Sequence, residues 1–174
     1  IDEARTNEDK ELQQIIIAVD PAVTANKDSD ETGIIVVGRD FNSEFYVLED
    51  LSGVHTADKW GRIVVNAFYE WEADRIVAEV NNGGDLVERL IRNIDNNVPY
   101  RAVRATRGKI LRAEPIAALY EQRRVHHVGG YPELESQMCS YTGETNSSPD
   151  RLDALVWGLT ELSKSSGQAI WRVT

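Results

Sequence analysis

A single cysteine, Cys139, stands among 174 residues. One thiol cannot close an internal disulfide and cannot supply a cysteine zinc cluster. That usage fits a reducing, cytoplasmic compartment. Long apolar runs are missing as well: no window approaches the roughly 18 apolar residues that a membrane-spanning helix requires. The opening segment IDEARTNEDKELQQ holds five acids and two bases, the wrong composition for a secretory signal peptide. No G-x-x-x-x-G-K-[ST] occurs, and neither NNGGD nor TRGK supplies one, so a P-loop ATPase is excluded. Positive charge is scarce. Nineteen Lys and Arg against 29 Asp and Glu leave a net charge of −10, which argues against a general nucleic-acid coat. No internal repeat is visible.

What is present suits one domain with a sizeable core: 41% of residues are hydrophobic and 28% charged. The few bases are unevenly placed. Residues 15–100 carry a net charge of −9, whereas residues 101–128, RAVRATRGKILRAEPIAALYEQRRVHHV, carry +5. That segment reads either as a solvated helix face or as a surface that contacts phosphates.

Residues 1–14 read as a linker or helix that brings no core. A buried strand is predicted over 13–20, followed by strands over 33–39 and 44–52 joined by DFNS, a three-strand antiparallel meander. Trp60, Ile63, Val64, Ala67, Phe68 and Trp71 fall on one face of a helix over 56–73 with Thr56 as N-cap. Strand 74–80, helix 84–95, strand 100–105, helix 112–122 with Pro115 in its first turn, strand 124–128 and a short helix after Tyr131 follow. The last helix covers 149–165. A meander followed by βα units predicts an α/β fold: a mixed sheet with helices on both faces.

Acids mark the ends of the apolar elements. IIIAVDP runs five apolar residues into Asp20, and DRIVAEV places Glu79 at the end of another buried strand. Asp150 and Asp153 open the last helix at i, i+3 spacing and therefore share one face. If the strands are parallel neighbours, these carboxylates converge, and like charges that close raise one another's pKa. A divalent cation relieves the repulsion, and all-oxygen ligands select Mg2+ or Mn2+ over zinc. Taken singly, Asp20 could be a turn residue before Pro21, and Asp150 an N-cap.

The stretches IIIAVDPAVT, DETGIIVVGRD, DRIVAEVNNGGDLVE, RATRGKILRAEPIAALYEQRRVHHVG, LESQMCSYT and SPDRLDALVWGLTEL occur in order across about residues 13–163. In them the chain resembles the RNase H-like nuclease superfamily, and more narrowly the C-terminal nuclease domain of tailed-phage terminase large subunits. Asp20, Glu79 and Asp150 fall where that family places its catalytic acids. Asp153 corresponds to a second aspartate used by related Holliday-junction resolvases. The resemblance implies residues 1–14 as the end of a linker from a missing ATPase domain and 15–174 as the nuclease domain. It implies a metal-dependent endonuclease that cuts concatemeric double-stranded viral DNA during genome packaging. Two divalent cations, Mg2+ or Mn2+, would be held by Asp20, Glu79, Asp150 and Asp153. The implied partners are double-stranded DNA, the ATPase domain, the terminase small subunit and the portal protein, with no membrane, in the cytoplasm of the infected bacterial host.

An acidic cluster repels DNA, so Arg104, Arg107, Lys109 and Arg112 are the candidates to grip phosphates beside the acids. His126 and His127 read as structural, Asp28, Asp30 and Glu31 as loop acids, Trp60, Trp71 and Trp157 as core, and Cys139 as a small buried apolar residue. The competing readings are a junction-resolvase-like nuclease, a non-catalytic docking module of a packaging motor, and a sugar-kinase or actin-like ATPase. The last of these needs a second domain and glycine-rich phosphate loops, for which there is no room.

Overall fold

A computed structural model of the chain describes residues 1–8, 10–21, 31–80, 85–106, 108–141 and 149–165. Strands β1 (Leu12–Asp20), β2 (Gly33–Asp40) and β3 (Phe45–Asp50) form the expected meander. Then come α1 (Ala57–Glu70), β4 (Arg75–Glu79), α2 (Asp85–Ile94), β5 (Tyr100–Val103), α3 (Lys109–Glu121), β6 (Val125–His127), α4 (Pro132–Ser140) and α5 (Asp150–Ser165). The six strands make one mixed sheet in the order β5-β4-β1-β2-β3-β6. The β1–β2 and β2–β3 pairs are antiparallel; β4 joins β1, β5 joins β4 and β6 joins β3 in parallel. Among the described residues, no helix is long and apolar enough to cross a membrane.

The strands are apolar on both faces because both are covered. Ile16, Ile35, Val37, Val47 and Val77 pack with Ile116 of α3, Leu134 of α4 and Leu155 and Leu159 of α5. Ile17, Val19, Ile34, Val36, Ile76 and Ala78 point the other way, toward Trp60 and Val64 of α1 and Val87 and Ile91 of α2. Thr56 caps α1 by accepting from the Lys59 amide, as its sequence position predicts.

Two expectations need correction. α3 begins at Lys109, not at 112, so Pro115 lies beyond its first turn. Its ring is on the exposed side, and the helix continues although the Leu111 carbonyl loses its usual donor. Cys139 is exposed, because Leu134 is the residue that α4 buries in the core.

Helix α5 lies unusually close to the sheet, and two glycines allow it. A Cβ on Gly158 would stand 2.7 Å from Val37 Cγ2 and 3.0 Å from Ala18 Cβ. A Cβ on Gly33 would stand 2.0 Å from the Asp150 carbonyl oxygen, which is backbone and cannot swing aside. Gly33→Ala is therefore expected to destabilise the fold by about 1–3 kcal/mol, the usual range for overpacking. Gly130→Ala, whose added Cβ would meet only Arg5 Nη1 at 3.9 Å, should be near neutral. Urea unfolding of both variants checks the contrast.

Candidate active site

Strand parity and register bring the acids together. Asp20 shares its face with Ile16 and Ala18, and Glu79 shares its face with Val77; this is the face that α5 covers. The parallel β1–β4 ladder pairs Val19 with Ala78, so the next residues along, Asp20 and Glu79, are neighbours. On the other side Asp20 pairs with Gly33, over which the Asp150 carbonyl sits.

The first turn of α5 is anchored by α4 and by the sheet. The Gln137 side-chain oxygen on α4 accepts from the Arg151 and Leu152 amides at 3.1 and 3.2 Å, supplying the cap that the helix's own sequence lacks. Arg151 reaches back to the sheet, pairing with Asp50 at 2.7 Å and Glu31 at 2.6 Å. The Asp153 amide donates to the Pro149 carbonyl at 2.8 Å. Asp150 and Asp153 thus sit in the first turn, where the helix dipole favours negative charge.

The electrostatics are those of a crowded acid cluster. Burial, then the charges of Glu79, Asp153 and Asp150, in that order, push the Asp20 carboxyl up to about 8. Repulsion from Asp153 thus weighs more on Asp20 than repulsion from Asp150 does. Burial also pushes Asp153 up, with the Lys109 ammonium pulling the other way. Lys109 donates to Asp153 Oδ2. Glu79, 6% exposed, accepts from the Trp157 indole N–H at 2.5 Å and lies 3.5 Å from Arg112 Nη1. The Arg112 guanidinium stacks over the Trp157 ring, 4.6 Å from its centre.

All four predicted acids therefore belong to one electrostatic unit. Of the basic residues, Lys109 and Arg112 are turned toward the acids, and Arg104 is exposed beside α3. Arg107 lies outside the described residues, as do Asp28 and Asp30. Glu31 is a partner of Arg151. His126 bonds Glu44 and the Ala4 carbonyl, and the fully buried His127 bonds Tyr120 and Glu135, so both are structural. Trp157, read from the sequence as core, also holds Glu79. The signal available was chemical: a buried indole N–H needs an acceptor.

The carboxyls have the chemistry for hard divalent cations. No three His, Cys, Asp or Glu side chains among the described residues are grouped closely enough to hold an ion as they stand. Asp153 and Glu79 engage Lys109, Arg112 and Trp157 instead. Burial and the acids around it keep the Asp20 carboxyl protonated, and a cation that takes the place of this proton is what the donor set fits.

This sheet order with acids at the ends of β1 and β4 and the start of α5 is the RNase H-like fold. Residues 17–162 match the terminase RNaseH-like domain, and the chain belongs to that family. It is similar in structure to the large terminase nuclease from thermophilic phage G20c, with a TM-score of 0.63 at 13% identity over 85% of this chain and 82% of that one. The phage nuclease is also known with bound magnesium and with bound zinc. The human cytomegalovirus terminase nuclease domain, manganese-soaked and inhibitor-bound, aligns with a TM-score of 0.61 at 15% identity, covering 91% and 87% of the two chains. T. thermophilus RuvC in complex with a Holliday junction substrate aligns at 0.53 with 14% identity, over 88% and 97%. No curated protein matches in sequence.

The raised Asp20 pKa has a sign that can be tested. The folded state keeps a proton that an unfolded aspartate releases near pH 4. Stability from this group is full below that point and is lost as pH rises toward about 8. In EDTA the melting temperature should fall across that window, and the fall should be much shallower in Asp20→Asn.

Proposed function

We propose that the protein is a metal-dependent endonuclease that cuts concatemeric double-stranded viral DNA during genome packaging. One observation carries the reading. Asp20, Glu79, Asp150 and Asp153 come from three elements far apart in sequence, yet they share one site in which Asp20 bears the charge of the other three. Such a cluster is costly for a fold to maintain unless a cation uses it. The family membership supports the reading, as do the metals named for the G20c and cytomegalovirus nucleases.

Asp20, Glu79, Asp150 and Asp153 would hold two divalent cations, Mg2+ or Mn2+. Bound there, such ions supply a water of lowered pKa and charge stabilisation for the departing 3′ oxygen. The chain's own groups do the rest. Trp157 fixes the orientation of Glu79 through its indole N–H. Lys109 and Arg112 reduce the repulsion that an incoming phosphodiester meets. The first turn of α3 contains no acid, and its N-cap Gly108 offers no side-chain acceptor, so its amides also favour an anion. Arg104 extends the positive surface, and the sequence offers Arg107 for the same role. No nucleophilic side chain is required, and the sequence shows no base-reading motif, so cutting is expected to be largely sequence-independent.

In the same proposal residues 1–14 are the end of a linker from an ATPase domain, and the small subunit and portal protein are partners in the infected bacterial cytoplasm. Membership of the terminase family sets aside the sugar-kinase and actin-like reading. A plasmid-nicking assay with Mg2+, Mn2+ and EDTA, with a four-way junction as a parallel substrate, separates the remaining ones. The expected result is nicking in both metals, none in EDTA and no preference for the junction. Asp20→Asn and Glu79→Gln should each lower the rate by more than about 100-fold, beyond what loss of an outer-shell partner costs. Circular dichroism should show both variants folded. Loss of activity through unfolding, or a folded wild type inactive with either metal, would leave the docking-module reading.

A further inference from the structure

A cleft of about 580 Å3 opens between α3 and α5, next to the acids but separate from them. Its size is within the roughly 300–1,000 Å3 of ligand clefts. Leu111, Pro115, Ile116 and Leu119 form an apolar wall, and Trp157 ties it to Glu79. Arg104, Arg112 and Lys164 supply cations, and among the described residues no carboxylate lines it, in a chain with a net charge of −10. The complementary ligand is an anion with a flat or apolar body.

Two further features narrow it. The Arg112 Nε is buried without a partner, although the same guanidinium stacks on Trp157 and approaches Glu79. An arginine in that state has a donor to offer an entering group. Ile110 and Leu111 are 52% and 55% exposed, and they stand between Lys109 and Arg112. Bare apolar side chains among cations on a DNA-facing surface have a known use: they wedge between base steps and unstack them.

We propose that this cleft receives one unstacked nucleotide of the strand lying across the acids, with Leu111 as the wedge. The base lies against the apolar wall, and its phosphate meets Arg104 and Arg112. The inference rests on the nuclease reading and adds a substrate preference to it. DNA that already contains an unpaired nucleotide is bound more tightly than perfect duplex, because the cost of unstacking has been met in advance.

The test compares two labelled duplexes of the same sequence, one with a single unpaired nucleotide, by fluorescence anisotropy in Ca2+ without Mg2+ or Mn2+. Wild type should bind the bulged duplex about tenfold more tightly. Thr160→Phe fills the cleft from the α5 side, and Leu111→Ser removes the wedge from an exposed position where folding is not at risk. Both should bring the ratio close to one while affinity for paired duplex stays within about twofold. A ratio near one in wild type, or a ratio kept in both variants, overturns the proposal while leaving the nuclease reading in place. Failure to bind either duplex overturns both.

Discussion

Repulsion among four carboxyl groups is the constraint around which this fold is arranged. The sheet order puts β1 between β2 and β4, so Asp20 has Glu79 on one side and the close approach of α5 on the other. Without strong restraint the first turn of α5 would retreat from the strand ends. The restraint has four parts: the bare Cα of Gly33, the notch at Gly158, the Gln137 cap and the Arg151 pairs with Glu31 and Asp50. Behind them, Leu155, Leu159 and Leu162 are fully buried and hold the helix down. Lys109 and Arg112 offset part of the charge, and Asp20 carries the remainder as a raised pKa.

Helix α4 connects that restraint to the opposite edge of the sheet. Two residues before Gln137, its Glu135 pairs with Arg5 at 2.7 Å and accepts from His127 Nδ1 at 2.9 Å. Arg5 and the hydrogen bond to the His127 carbonyl hold Glu135 and the opening segment together; that bond, 2.9 Å from the Thr6 amide, runs alongside β6. The edge strand is therefore covered rather than left open to another chain. Arg5 holds the Glu135 carboxyl down at about 2, while burial lowers the His127 pKa. One short helix thus serves both the edge and the site. It does so with nine residues and a single buried side chain, Leu134.

Much of this was legible in the sequence, for physical reasons that differ from element to element. IIIAVD and RIVAE are buried on both faces, so their uninterrupted apolar runs identify buried strands; their parallel pairing comes from the sheet, and period two then decides the face on which each terminal acid falls. The i, i+3 spacing of Asp150 and Asp153 needs only helical geometry. The start of α3 was harder to place. The sequence from Lys109 to Leu111 carries no helix-start signal, and the contact that ties Lys109 to Asp153 is distant in sequence. Roles set by contacts distant in sequence left no local trace: Gln137 as the cap of another helix, Arg151 as a clamp, and Gly33 as the seat of the Asp150 carbonyl. Cys139 departs from the usual burial of cysteine because α4 buries one face only.

The account holds that the acids form a cation site whose repulsion the folded state bears and the unfolded chain does not. Thermal melts of wild type and Asp20→Asn against millimolar Mn2+, with Ca2+ and added NaCl as controls for screening, test that claim most directly. At ten times its dissociation constant, one bound ion contributes about 1.4 kcal/mol, a rise of about 3–6 °C for a domain of this size. The rise is expected in wild type, greater with Mn2+ than with Mg2+, and absent from Asp20→Asn. Equal shifts in the two proteins would mean that the ions bind the acidic surface at large, and would contradict a site built on Asp20.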